Sequence, residues 1–386
     1  MHHTSNSHGL IVLLAASLVS VVMGSIHAFS VFLVPLETQL AASRSAVSLS
    51  YSMALVAITL VVLLGPRLYA KASAATLMGL ACTVAAIGAY GAGTAGSLAG
   101  VWLGYSLVFG AANGLGYGFG LQIAAQVNPG REGLAMGVVT AAYALGSVVS
   151  PAVFETALIS GGFAQAMNSL ALCLIGVGVL SAGLMSLAQA RFQSTAPNPD
   201  HPSPGLHKLG LLWLAYFGGV MAGLMVIGHA AGIAAVLRPG TTTWLAPVVI
   251  AACNLAGAMI AGRLADTLSL GRLLGALAAA SALALACLAS LGTTAAMLPA
   301  FGLIGFAYGG TIAVYPAAIA KLYGMTRGPR IYGRVFTAWG AAGVLGPWLA
   351  GMLFDLGGGY HTALLTACAI ATLSAGLISW LLSQTS

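Results

Sequence analysis

Read between polar or Gly/Pro interruptions, the apolar residues of this chain fall into twelve runs. They lie at about 10–36, 46–65, 74–94, 97–127, 133–158, 164–188, 209–237, 243–262, 272–292, 295–320, 333–354 and 362–382. Each is long enough for the roughly 20 residues that a helix needs to cross a bilayer. The pattern predicts an all-α membrane protein of twelve transmembrane helices. The longest polar stretch, 189–208, carries Pro197, Pro199, Pro202 and Pro204 with Asn198, Asp200 and Ser203. That composition neither continues a helix nor builds a core. It divides the chain into an N-terminal six-helix half, 1–188, a linker, 189–208, and a C-terminal six-helix half, 209–386.

The charged residues orient this layout. With the N-terminus inside, Arg67, Lys71, Arg131, Arg191, Lys208, Arg263, Arg272, Lys321, Arg327, Arg330 and Arg334 are cytoplasmic, and only Arg44 and Arg238 lie outside. A shift by one span loses the asymmetry, so span count and orientation support each other. Both termini and the linker are therefore expected in the cytoplasm. The first apolar run is too long for the core of a cleaved signal peptide and is expected to remain as the first span.

Composition reaches the same class independently, since 59% hydrophobic and 5% charged residues leave too little polar surface for a soluble globule. The net charge of +7 is dispersed over short loops without aromatic interleaving, which fits positive-inside topology and not nucleic-acid binding. Cys82, Cys173, Cys253, Cys287 and Cys368 fall within spans, odd in number and without CxxC spacing, as small apolar fillers. His2, His3 and His8 cluster loosely, with no acidic or Cys partner to complete a metal site. Neither metal nor cofactor is expected.

Two internal features echo between the halves. Ile26-His27-Ala28 in the first span corresponds to Gly228-His229-Ala230 in the seventh, and Ser150-Pro151 at the end of the fifth to Gly346-Pro347 in the eleventh. Fifty-two glycines, roughly twice an average share, recur at small-xxx-small spacings such as Gly110/Gly114/Gly118 and Gly305/Gly309. Such spacings let helices approach closely where lipid offers no hydrophobic drive for association. A pair of six-span halves with internal repeats is the pattern of secondary transporters, with the substrate site near the midplane.

Local motifs sharpen the reading. Gly262-Arg263-Leu264-Ala265-Asp266, followed by Gly271-Arg272, stands between spans 8 and 9. It resembles the loop motif of the major facilitator superfamily, in which Gly allows a tight turn and Asp pairs with Arg. The resemblance implies a conformational latch formed by Gly262, Arg263, Asp266 and Arg272. The matching loop of the first half, Gly65-Pro66-Arg67-Leu68-Tyr69-Ala70-Lys71, has Tyr69 where the motif has Asp.

A narrower resemblance rests on three stretches: Gly24 to Leu36 in the first span, Gly114 to Gly118 with Asn128 to Gly137, and Tyr308-Gly309 with Tyr332 to Gly340. These are similar to the oxalate/formate antiporter and monocarboxylate transporter branch of the superfamily. The resemblance implies a secondary active transporter of a small organic anion, working by alternating access, a monomer in the plasma (inner) membrane and not an enzyme. In oxalate exchangers two basic residues hold the two carboxylates. The best-matching positions here are Ala258 and Trp339, which cannot bind a dianion, so a monocarboxylate-like cargo is expected.

No Lys or Arg lies in the middle of a span, where an unpaired charge costs about 2.5 to 3.5 kcal/mol. The polar residues expected at membrane depth include His27, Asn113, Tyr117, Gln122, Tyr143, Tyr216, His229, Asn254, Tyr308, Tyr315 and Trp339. Of these, His27, Asn113, Tyr117, Gln122, Tyr143, His229, Asn254, Tyr308 and Trp339 are the substrate-site candidates. His27 and His229 are the proton-coupling candidates, because imidazole titrates near neutrality and its protonated form supplies the charge a carboxylate needs. The alternative for either is a neutral histidine bonded to a backbone carbonyl. Glu37, Glu155 and Asp355 read as a solvated outer rim.

Two other functions remain open on the same residues. An uncharged aromatic cavity suits export of amphipathic or drug-like compounds, and a transporter-like chain can also serve as a non-transporting sensor or partner subunit. Gly91 to Gly96 fits GxGxxG, but it lies in a turn between spans with no preceding strand and no acidic residue about 20 positions on.

Overall fold

The computed structural model describes residues 2–69, 71–128, 132–192, 206–240, 242–291, 294–323 and 328–383. Most of the linker therefore lies outside the described residues. Regular structure is helical throughout them: α1 (His2–Met23), a 3-10 segment (Gly24–Phe32), α2 (Leu33–Leu40), α3 (Arg44–Leu64), α4 (Pro66–Tyr69), α5 (Ala74–Gly93), α6 (Leu98–Val101), a π-helical segment (Trp102–Phe109) and α7 (Gly110–Gln126). Then follow α8 (Glu132–Leu187), α9 (Leu206–Ile227), α10 (Ala230–Leu237), α11 (Leu245–Thr267), α12 (Leu270–Leu291), α13 (Thr294–Tyr323), α14 (Gly328–Gly357) and α15 (His361–Ser383).

Eleven helical stretches among the described residues are long and apolar enough to cross a membrane, and one of them, Ala135–Leu187, holds two crossing lengths. The division falls at Gly161 and Gly162, where Gly162 has φ 68° and ψ −163°. Only glycine reaches that region without large strain. Twelve spans result. The exposed Leu172, Val179, Leu283 and Leu373 are the outward apolar surface expected of helices solvated by lipid.

Contacts gather the chain into two compact units: Met1–Ala42 with Met53–Pro197, and Ser43–Ser52 with Asn198–Ser386. In the first unit α8 packs on α1, α5 and α7, and the π segment packs on α5. An aromatic core fills it, with Phe29 against Tyr105 at 5.2 Å and Phe32 against Phe154 and Phe163 at 4.9 and 5.1 Å. In the second unit α11 packs on α13, α12 on α13 and α15, and α9 on α14 and α15.

Three of the predicted runs are not continuous α-helix. The first tightens into the 3-10 segment over Gly24–Phe32, the fourth widens into the π segment over Trp102–Phe109, and the seventh breaks at Gly228–His229 between α9 and α10. Apolar composition is blind to all three, because the residues on either side remain equally hydrophobic.

Candidate functional site

In the first unit the 3-10 stretch of the first span carries the site. Gly24 has no side chain, and a Cβ there would overlap the backbone carbonyl of Tyr143; Gly146, one turn on, abuts the carbonyl of Val21 in the same way. The two backbones thus touch, which sets the 3-10 segment directly against α8. Carbonyls at the end of α1 and in the 3-10 segment are met by side chains from three other elements. Asn113 Nδ2 donates to Met23 O at 2.6 Å, Ser147 Oγ to Gly24 O at 2.9 Å, and Tyr105 Oη to Ile26 O at 3.3 Å. Without such partners a buried carbonyl costs on the order of 1–3 kcal/mol.

His27 projects from this segment and is half-buried. Its ring meets Tyr143 edge-on at 5.7 Å, and Tyr143 in turn lies 4.5 Å from Tyr117. The Tyr143 hydroxyl donates to Asn113 Oδ1 at 3.1 Å, and the Tyr117 and Thr140 hydroxyls are 3.4 Å apart. Four predicted residues, His27, Asn113, Tyr117 and Tyr143, therefore form one cluster. Asn113 is fully buried with both ends of its amide engaged, so it ties Tyr143 to the end of α1. Gln122 is half-buried farther along α7.

The second unit holds the other four predicted residues. Trp339 Nε1 donates to the Tyr308 hydroxyl at 2.7 Å, and Trp339 stacks on Phe336 at 5.5 Å. Asn254 is half-buried on α11 and packs against Gly309 of α13, a position closed to any Cβ. His229 is fully buried and bonded at both nitrogens, Nδ1 to the Tyr360 hydroxyl at 2.9 Å and Nε2 to Pro347 O at 2.8 Å. A carbonyl only accepts, so Nε2 carries the hydrogen and Tyr360 donates to Nδ1. The repeat-related histidines thus differ: one is half-buried beside tyrosines, the other sealed in a polar chain.

Several participants carry no signal in sequence. Ser147 and Tyr105 look like ordinary small and aromatic span residues until folding brings them to the 3-10 segment. Arg44 is buried, and Asp355, exposed as a rim residue should be, accepts from the backbone N–H groups of Arg44 and Ser45 at 3.0 and 2.9 Å.

At the predicted latch, Gly262 is half-buried, Arg263 is exposed on α11, and Arg272 Nε donates to Ser269 Oγ at 2.7 Å. The side chain of Asp266 lies outside the described residues. In the corresponding loop of the first half, Tyr69 is buried with its ring edge-on to Phe119 and Phe192 at 5.2 and 5.4 Å. Burial pushes its hydroxyl up to about 12, so it stays neutral where the motif has a carboxylate. An aromatic plug replaces a charge there.

Twelve apolar helical spans among the described residues and the superposition that follows place the chain in the major facilitator fold. The chain superposes over 97% of its length on a bacterial homologue of the human lysosomal transporter Spinster. The crystal structure in the inward-facing and occupied conformation gives a TM-score of 0.74 at 14% identity, covering 96% of that chain. The inward-facing, unoccupied structure gives 0.68 at 13% identity, covering 94%. In sequence the chain is similar to YhjX, an uncharacterized MFS-type transporter of Escherichia coli strain K12, at 23% identity over 335 residues, 83% of this chain and 82% of that one. No family model matches.

Proposed function

We propose that this protein is a secondary active transporter of a small monocarboxylate-like anion, working by alternating access and coupled to protons. The observation that carries the reading is His27, half-buried on the 3-10 segment of the first span and edge-on to Tyr143. Secondary transporters place cargo near the bilayer midplane. A protonated imidazole beside the Tyr117 hydroxyl offers a carboxylate one positive charge together with N–H and O–H donors. One charge suits one carboxylate, and the absence of Lys or Arg from the span centres argues against a dianion.

On this reading His27 carries the proton and meets the anion, Tyr117 supplies a hydroxyl donor, and Tyr143, held by Asn113, packs against the His27 ring. His229 keeps a neutral, two-bonded place and takes no part in coupling. The plasma membrane is the proposed location, with both termini cytoplasmic on the strength of the basic-residue asymmetry.

Export of an amphipathic compound is the second reading, favoured by the aromatic group Tyr308, Trp339 and Phe336. Purified protein in liposomes separates the readings. Flux of radiolabelled lactate or formate, competed by other monocarboxylates and not by hydrophobic cations, supports the first; the reverse pattern supports the second. Binding of lactate without flux would indicate a sensor.

A further inference from the structure

The start of α3 is fastened with more bonds than a helix end on a membrane surface requires. Ser43 Oγ accepts from Ala46 N at 3.3 Å, and the two carboxylate oxygens of Asp355 accept from Arg44 N and Ser45 N. The first three N–H groups of the helix are thus satisfied, and a negative charge sits at the positive end of its dipole. The Arg44 guanidinium lies over the Phe354 ring at 4.1 Å and donates from Nη1 to the Tyr360 hydroxyl at 2.6 Å. Gly358, at φ 67°, ends α14 and turns the chain back so that Tyr360 packs on Phe354 at 4.7 Å. From Tyr360 the chain of donors continues to His229 Nδ1, and from Nε2 to Pro347 O. Arg44, Tyr360 and His229 form a directed line of hydrogen bonds inside the second unit.

We propose that Arg44 and Asp355 make a latch, which seats the first turns of α3 on α14 and Tyr360 and is undone and remade during the working cycle. The proposal rests on the transport reading above. The helix itself gives the reason. α3 runs unbroken from Arg44 to Leu64 without a proline or glycine, yet residues Ser43–Ser52 group with the second unit and those from Met53 onward with the first. Alternating access moves such units, and a helix lacking Pro and Gly has no cheap place to kink. The bonds at its end must then yield. Their make-up suits this: a cap and an ion–dipole contact are each modest interactions, enough to hold and weak enough to release.

The test needs no cargo. Ser48 is buried one turn into α3, donating to Arg44 O at 2.6 Å. Ser48→Cys is introduced after the five native cysteines are replaced by Ala, and the protein is placed in nanodiscs with both faces accessible to a membrane-impermeant maleimide. The expected result is slow labelling of native protein, accelerated roughly tenfold by Arg44→Gln and by Asp355→Asn, as loss of a cap and its charge predicts. Ser374→Cys, buried elsewhere in the second unit, should label at one rate in all three backgrounds. Labelling of Ser48→Cys that is no faster in Asp355→Asn, or that rises equally at Ser374→Cys, overturns the latch. Absence of lactate flux in the unmutated protein would count against the transport reading and leave these labelling rates unaffected.

Discussion

His27 and His229 show how two residues equivalent in sequence part company in structure. Both were legible as lone imidazoles in apolar spans, related by the internal repeat. Their difference lies in partners far along the chain, Tyr143 for one and Tyr360 with Pro347 for the other, and no local pattern announces these. Asn113 illustrates the same limit. Its residue type marked it as a cargo contact, whereas its amide joins Met23 O to the Tyr143 hydroxyl. Asn113→Leu strands both groups in an apolar interior, and a loss of about 1–3 kcal/mol is expected. Thermal unfolding in detergent should show a clearly lowered midpoint, with transport rate falling in parallel at every substrate concentration. Unchanged stability with a selective loss of affinity would return Asn113 to the binding site.

At the level of elements, the twelve spans followed from length and hydropathy, and the Gly161–Gly162 division fell where two apolar runs were separated. The 3-10 stretch of the first span, the π segment of the fourth and the break in the seventh did not follow, because they leave no mark in apolar composition. Gly146 lets the first span lie close against α8, since its lack of a side chain admits the Val21 carbonyl. Gly146→Ala should force the first span away from α8 and lower both stability and activity. Gly176 of α8 has open space where a Cβ would stand. Gly176→Ala should be neutral or stabilising by about 0.5–1 kcal/mol, as alanine in a helix interior generally is. Paired melting curves check this, and equal behaviour of the two variants would contradict the close approach.

For the whole molecule, fold class and span number could be read from apolar runs alone. Most of the linker, 193–205, and the Asp266 side chain fall outside the described residues, so the predicted latch between spans 8 and 9 still rests on its motif. The proposed orientation rests on eleven basic residues falling on one side of the span layout against Arg44 and Arg238 on the other. Reporter fusions at the linker and at both termini should report the cytoplasm, and a linker outside would reverse the topology.

The central claim is that His27 couples protons to anion movement. The direct measurement is initial lactate uptake into liposomes from about pH 5 to about pH 8, bracketing the usual histidine range, for the wild type, His27→Gln and His229→Gln. Acid protonates imidazole, so wild-type uptake should rise as pH falls. His27→Gln keeps a neutral donor and should lose that rise while remaining folded. His229→Gln should keep the rise at reduced stability. Retention of the wild-type pH profile and affinity by His27→Gln would contradict histidine coupling and favour an uncharged, aromatic site for a neutral or amphipathic cargo.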